Sequence, residues 1–244
     1  MMKTARMVLM AVVLTMCFSS CKKPADYYEY KVVEITIDGT DYYFELQKDH
    51  EAKITHCEKY YQGGHDCYSG HVEIPDSITY KKNVYCVVGI GEEAFYGCEN
   101  LHWVRIPNSV TSIEEGAFMD CENLTTVEIP NTVTSLPSYV FESCAFSSFD
   151  IPNSITSIGR QAFSFCKNLK SVIIPESVIS LDGNAFYRCG KLSSVTCLAP
   201  TPPLFMNGVF DECPIQAIKV PAESVDSYKS AEGWKNYADL IVGI

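Results

Sequence analysis

The sequence predicts a β-rich solenoid of the leucine-rich-repeat type. We expect a stack of about six coils with short helical turns, a small antiparallel sheet at the N-terminal end and a helical cap at the C-terminal end. Three observations carry this. A phrase of 22–23 residues recurs from Ile106 to Thr196, opening IPNSVTSI, IPNTVTSL, IPNSITSI and IPESVISL. One phenylalanine recurs at a fixed phase: Phe118, Phe141, Phe163 and Phe186. One cysteine follows it in every copy: Cys121, Cys144, Cys166 and Cys189. A single copy cannot bury its own apolar side, so the copies must stack.

The spacing within a copy sets its local structure. Val127 and Ile129 are two apart, so they share one face of a short strand that ends at Pro130. Proline cannot donate to a ladder and closes the strand. The β-branched run Val110 to Ile113 predicts a second short strand. GAFMDC sets small Ala117 beside Phe118 and suits a tight helical turn.

Along the chain, residues 1–20 form a leader, with Lys3 and Arg6 before the apolar run Met7 to Phe18. That run is too short for a stable membrane span. It ends in Phe18-Ser19-Ser20-Cys21, which resembles the lipobox of bacterial lipoproteins, although Leu is usual where Phe18 stands. The resemblance implies lipidation of Cys21. The alternative is an ordinary secretory signal with a chance cysteine. Residues 21–30 read as a tether. Residues 31–73 predict an antiparallel cap, with Asp38-Gly39 as one hairpin turn and Gly63-Gly64 as a second. The solenoid runs over 74–219. Its first copy opens at Ile74-Pro75 and carries the insertion TYKKNVYC. Phe210 and Cys213 keep phase after Thr196. Residues 220–244 are the cap: Pro221, Glu223 and Gly233 bound a short helix, and Trp234, Tyr237, Leu240 and Ile241 supply apolar cover.

The motif I-P-x-S-V-T-S-I-x-x-x-A-F-x-x-C-x-x-L-x-x-V resembles the leucine-rich repeat of BspA-like bacterial surface proteins over roughly residues 72–221. VPAESVDSYKSAEGWKNY resembles the cap common in such proteins. The resemblance implies a lipid-anchored, surface-exposed solenoid on the bacterial outer membrane or cell surface. Relatives are associated with adhesion to host matrix proteins and with cell–cell contact. The copy opening at Ile129 departs from the motif: Cys144-Ala145-Phe146 lacks the usual Asn-Leu, which unsettles the local backbone and not the fold.

Twelve cysteines in an exported chain invite a disulfide framework. The one-per-coil set, Cys98 to Cys213, reads instead as a ladder of buried thiols, because in-register side chains point the same way and a disulfide needs converging Cβ vectors. Cys57 and Cys67 flank Gly63-Gly64 and suit either a cross-hairpin disulfide or free thiols. With His56, His65, Asp66 and His71 they form the one ligand-rich cluster, which matches no zinc spacing; polar hairpin residues are the plainer reading. No catalytic motif is present, and neither an enzyme, a metal nor a cofactor is expected. A net charge of −11 argues against nucleic acid. The membrane is expected to be met through the lipid anchor alone.

The outward residues of the final strand of each coil form the expected binding face: Trp103 and Arg105, Thr126 and Glu128, Ser148 and Asp150, then Ser171, Ile173, Ser194 and Thr196. Tryptophan and arginine are enriched at binding hot spots. The alternative for Trp103 is simple packing against the N-terminal hairpin. Two function classes follow. One is an adhesin-like module for an extracellular or host protein. The other is a glycan-binding or structural accessory lipoprotein of the envelope.

Overall fold

The structure, a computed structural model, describes residues 31–56 and 68–244. The leader, Cys21, the tether with its tyrosines, and the segment holding Cys57, Tyr60, Tyr61, His65, Asp66 and Cys67 lie outside the described residues.

Each coil has three sides. The front is built from β4 (Gly70–Glu73), β7 (Leu101–Arg105), β9 (Thr126–Glu128), β11 (Ser148–Asp150), β13 (Ser171–Ile174), β15 (Ser194–Cys197) and β17 (Ala217–Val220). These strands are parallel, as stacked coils of one hand require. The flank is built from β8 (Ser112–Ile113), β10 (Ser135–Leu136), β12 (Ser157–Ile158), β14 (Ser180–Leu181) and β16 (Leu204–Phe205). The third side is the turn carrying the phenylalanine and the cysteine.

Helical turns were expected on that third side. The residues form hydrogen-bonded turns and no helix, because two residues four apart take left-handed backbone: Gly116 and Asp120, Tyr139 and Ser143, Gln161 and Phe165, Asn184 and Arg188. The reversal points alternate amides at the next coil. Gly116, Phe118 and Asp120 donate to the carbonyls of Ser138, Val140 and Glu142 at 3.0, 3.0 and 2.9 Å. The same triplet recurs at each interface down to Arg188 and Asp211. The turn side is thus a third ladder, and it accounts for backbone donors that would otherwise be buried without partners.

The phenylalanines stack in its interior. Ring centroids lie 4.8 Å apart for Phe95 and Phe118, 5.5 Å for Phe118 and Phe141, 5.5 Å for Phe141 and Phe163, 5.1 Å for Phe163 and Phe186, and 5.6 Å for Phe186 and Phe210. Tyr68 extends the stack at the N-terminal end and Trp234 at the other. The cysteines behave as expected for reduced rungs: Cys121, Cys144, Cys166 and Cys189 are free and buried, and Cys98 is buried at the same phase. Each thiol from Cys121 onward donates to the phenylalanine carbonyl of the preceding coil, for example Cys166 to Phe141 at 3.2 Å and Cys189 to Phe163 at 3.1 Å. Burial holds the thiols of Cys121, Cys144 and Cys166 well above their ordinary pKa.

The N-terminal cap corrects the expectation of a small antiparallel sheet. β1 (Lys31–Ile37), β2 (Thr40–Leu46) and β3 (Glu51–Thr55) are antiparallel, with the tight turn at Asp38-Gly39. The sheet then turns mixed. β3 runs parallel to β6 (Asn83–Ile90), β6 pairs antiparallel with β5 (Ser77–Tyr80), and β8 of the flank joins β6 in parallel. The turn of the second predicted hairpin, Gly63-Gly64, lies outside the described residues; the described strands on either side of it, β3 and β4, sit in different sheets. The Ile-Pro motif at Ile74 makes β4 the first front strand. The insertion TYKKNVYC is the β5–β6 hairpin, turned by Lys81 and Lys82 with φ of 47° and 69°. Lys53 pairs with Glu114 and ties this sheet to the second coil.

At the far end, α1 (Val225–Ser230) presents Val225 and buried Tyr228 inward. The Tyr228 hydroxyl donates to Ala199 O at 2.7 Å, and the Trp234 indole to Pro203 O at 2.8 Å. The chain then adds β18 (Ile241–Gly243), a last parallel strand beside β17 that the apolar pattern of Leu240 and Ile241 did not distinguish from helical cover.

Candidate binding face

The front strands alternate about a central inward residue. Val104, Phe149, Val172, Val195 and Ile218 point into the core, and their neighbours on each strand point out. Register places the predicted outward residues side by side. His71, Trp103 and Thr126 form one row, and Glu73, Arg105 and Glu128 the next. Trp103 is half-buried with its ring 5.7 Å from that of His71. This described ring partner belongs to the first front strand. Arg105 is exposed, reaches Glu73 at 3.3 Å, and has Glu128 as its cross-strand neighbour. An ion pair this exposed adds little stability, so Arg105 is available to a ligand at small cost.

Ser148, Ser171 and Ser194 continue the first row on the later strands, and Asp150, Ile173 and Thr196 the second. Sequence reasoning missed His71, Glu73, Lys219 and Val242, which the register adds to the same face. The signal for the first two was present: HVE stands immediately before Ile74-Pro75, where a front strand should end.

The structure does not bring the predicted residues into one continuous sheet. Front strands β4, β7 and β9 form one sheet; β11, β13, β15, β17 and β18 form another. Thr126 and Glu128 stand on one lip of the division, Ser148 and Asp150 on the other. The sequence supplies the cause. Other copies place three residues after the cysteine at the strand's first apolar position, as in Cys121 to Leu124 and Cys166 to Leu169; Cys144 reaches Phe146 in two. One residue of extended chain spans roughly 3.4 Å. The shortened segment bonds back early, with Ala145 N donating to Leu124 O at 3.0 Å. The regular bonds then fail. Ile74 N donates to Arg105 O and Ile106 N to Glu128 O, but no bond joins Ile129 N to Asp150 O. Phe146 and Phe149 fill the interior behind the division, with rings 4.8 Å apart and packed on Phe141 and Phe163.

Among the described residues no three His, Cys, Asp or Glu side chains converge as metal ligands. Of the His/Cys cluster only His56 and His71 are described, and burial lowers the pKa of His56 against the pull of Glu93. Among the described residues no helix is long and apolar enough to cross a membrane.

A family model described as the BspA type leucine rich repeat region matches residues 88–216 in six copies. The solved structure of a Treponema pallidum leucine-rich-repeat protein is 25% identical, with a TM-score of 0.60, over 80% of this chain and 91% of that one. The pneumococcal vaccine antigen PcpA, at 18% identity and a TM-score of 0.60, aligns over 78% of this chain and 50% of its own. A leucine-rich-repeat protein from Eubacterium ventriosum, at 18% identity and a TM-score of 0.52, aligns over 79% and 67%. No curated protein matches the chain.

Proposed function

Because the chain belongs to the BspA-type leucine-rich-repeat family, we propose that it is a protein-binding, adhesin-like module presented at the bacterial cell surface on a lipid attached to Cys21. The observation that carries the reading is the front face: parallel strands lined by Ser and Thr, with half-buried Trp103 and exposed Arg105 in adjacent rows. A rigid repeat surface offers many small contacts, and an aromatic–arginine pair supplies an anchor within it. No catalytic role is assigned. A second reading, glycan binding, is favoured by the Trp103 ring itself, since an indole beside His71 and Thr126 suits stacking on the apolar face of a sugar.

The test is binding of the intact chain to a matrix-protein panel and a glycan array, followed by Trp103→Ala with Arg105→Ala. Loss of the ligand in a variant that still melts cooperatively supports the face. Unchanged affinity moves the site elsewhere, and silence on both panels removes the binding reading. Release of Cys21→Ala from membranes tests the anchor; a variant that stays membrane-bound contradicts it.

A further inference from the structure

Charge is unevenly spread over this chain. From Asn83 to Asp150 stand ten Asp or Glu residues and a single Lys or Arg, Arg105. The tip of the N-terminal cap is the reverse. The β5–β6 hairpin turns through Lys81 and Lys82, and Lys31, the first described residue, lies against the same tip. The Lys31 and Lys81 ammonium groups stand 4.9 and 5.5 Å from the centre of the Tyr80 ring. Lys48 and His50 follow on the short turn packed against β6, with the His50 ring 5.4 Å from that of Tyr85. All four lysines are exposed. Asp49 and Glu51, on either side of His50, are carboxylates of this end; among the described residues neither they nor any other forms an ion pair with Lys31, Lys81 or Lys82. A hydrogen bond from Lys31 holds the Tyr80 hydroxyl below its ordinary pKa, as a local positive field does. The turn itself is a second observation. Tyr80 pairs with Asn83, and Lys81 and Lys82 between them both take left-handed backbone. That is a type I′ turn, which favours Asn-Gly or Asp-Gly because most side chains resist positive φ. The β1–β2 turn of the same sheet follows the rule with Asp38-Gly39. Two lysines in this conformation are a strain the fold does not need, and such strain marks side chains kept for function.

We propose that this basic tip docks on the anionic headgroup phosphates of the membrane that receives the lipid of Cys21, and so directs the acidic coils away from the bilayer. The inference rests on the anchor reading and adds a second contact to it. Residues 21–30 join Cys21 to Lys31. Ten residues of chain reach at most about 36 Å, so an anchored chain keeps the tip within reach of the headgroups. Lysine meets phosphate as a point charge, and a tyrosine ring suits the boundary between lipid and water. Screening at physiological salt limits the reach of each charge to about 8 Å. The bilayer therefore meets the tip and not the net charge of −11. An anionic surface attracts the lysines and repels the carboxylates of the coils, and both effects favour the same orientation.

The probes are vesicles of neutral phosphatidylcholine, alone or mixed with anionic phosphatidylglycerol, co-sedimented with the chain from Cys21 onward made without lipid. This chain holds every described residue, so docking is read apart from anchoring. We expect binding to the anionic vesicles at low salt, weaker binding at physiological salt, and none to the neutral ones. The decisive variant is Lys81→Asn with Lys82→Gly, which gives the turn the pair it favours. It should melt no lower than wild type and lose about tenfold or more in affinity for anionic vesicles. Lys219→Gln with Lys229→Gln removes two exposed lysines from the far end and should leave binding unchanged. Equal binding to both kinds of vesicle, full binding by the tip variant, or an equal loss in the far-end variant would each overturn the proposal. So would displacement of the chain by inorganic phosphate at constant ionic strength, since the tip would then hold a soluble ion. If Cys21→Ala stays on cell membranes in high salt while the vesicle results hold, the anchor reading fails and the docking stands. Release of Cys21→Ala together with no vesicle binding keeps the anchor and overturns the docking.

Discussion

The turn side and the front of this solenoid meet the same short repeat and respond differently. The turn ladder crosses into the short repeat from Gly116, Phe118 and Asp120 to Ser138, Val140 and Glu142 with bonds of 2.9–3.0 Å, as regular as at any other coil. The front ladder, a few residues further along the same coil, is divided. The missing residue lies after Cys144 and before β11, so it shortens only the approach to the front strand. The comparison teaches that each side of a coil is registered separately. Stacking is fixed by the phenylalanine–cysteine turn, and front pairing depends on the length of the connection that follows.

If the turn side is the structural spine, damage there should be the most costly. Cys166→Asp buries a carboxylate where a thiol donates to Phe141 O. We expect a loss of about 3–5 kcal/mol in denaturant melts at neutral pH. Burial raises the folded-state pKa of that new carboxyl above its unfolded value, so the penalty should shrink as pH falls through the raised pKa. A loss that is small, or that does not ease on acidification, would place Cys166 at a site open to water.

A smaller effect probes the backbone of the same ladder. Gln161 holds φ of 54°, a conformation that disfavours side chains and suits glycine. Gln161→Gly should stabilise the chain by up to about 1 kcal/mol. Destabilisation instead would show that the Gln161 side chain matters more than its backbone strain.

The smallest effect lies beside the short repeat. Glu142 is half-buried next to Asp120, and burial first and Asp120 second raise its pKa. The folded state therefore holds this proton more tightly than the unfolded state does. Its contribution to stability is most favourable at low pH and declines as pH rises from the ordinary carboxylate value through the raised one. Glu142→Gln should flatten the pH dependence of melting in that window and leave acid stability unchanged. An unaltered profile would assign the dependence to other groups.

Much of this was legible in the sequence because stacking repeats one environment. The phases of Phe118 and Cys121 state their burial, and the Ile-Pro pairs state where front strands end. Two features were obscured by physics that no single copy contains. Phe165, Tyr139 and Arg188 carry no turn signal, yet they take left-handed backbone because the next coil claims their own amides. Gly63-Gly64 reads locally as a hairpin turn and lies outside the described residues, and nothing local shows that the described strands flanking it take different partners, β2 and β6 for β3 and β7 for β4. The candidate face was legible through alternation on Trp103, Arg105, Thr126 and Glu128. The division between Glu128 and Asp150 was visible only as a one-residue shortfall whose consequence needs three dimensions.

The most direct measurement is native-state hydrogen exchange resolved to single amides. The intact ladders predict strong protection of Phe141 and Ser143 on the turn side and of Val172 and Val195 on the front. Ile129, whose amide faces the division, should exchange at least about tenfold faster than its counterparts Ile74 and Ile106, whose amides donate to the next front strand. Equal protection of these three isoleucines would mean that the front sheet is continuous across the short repeat.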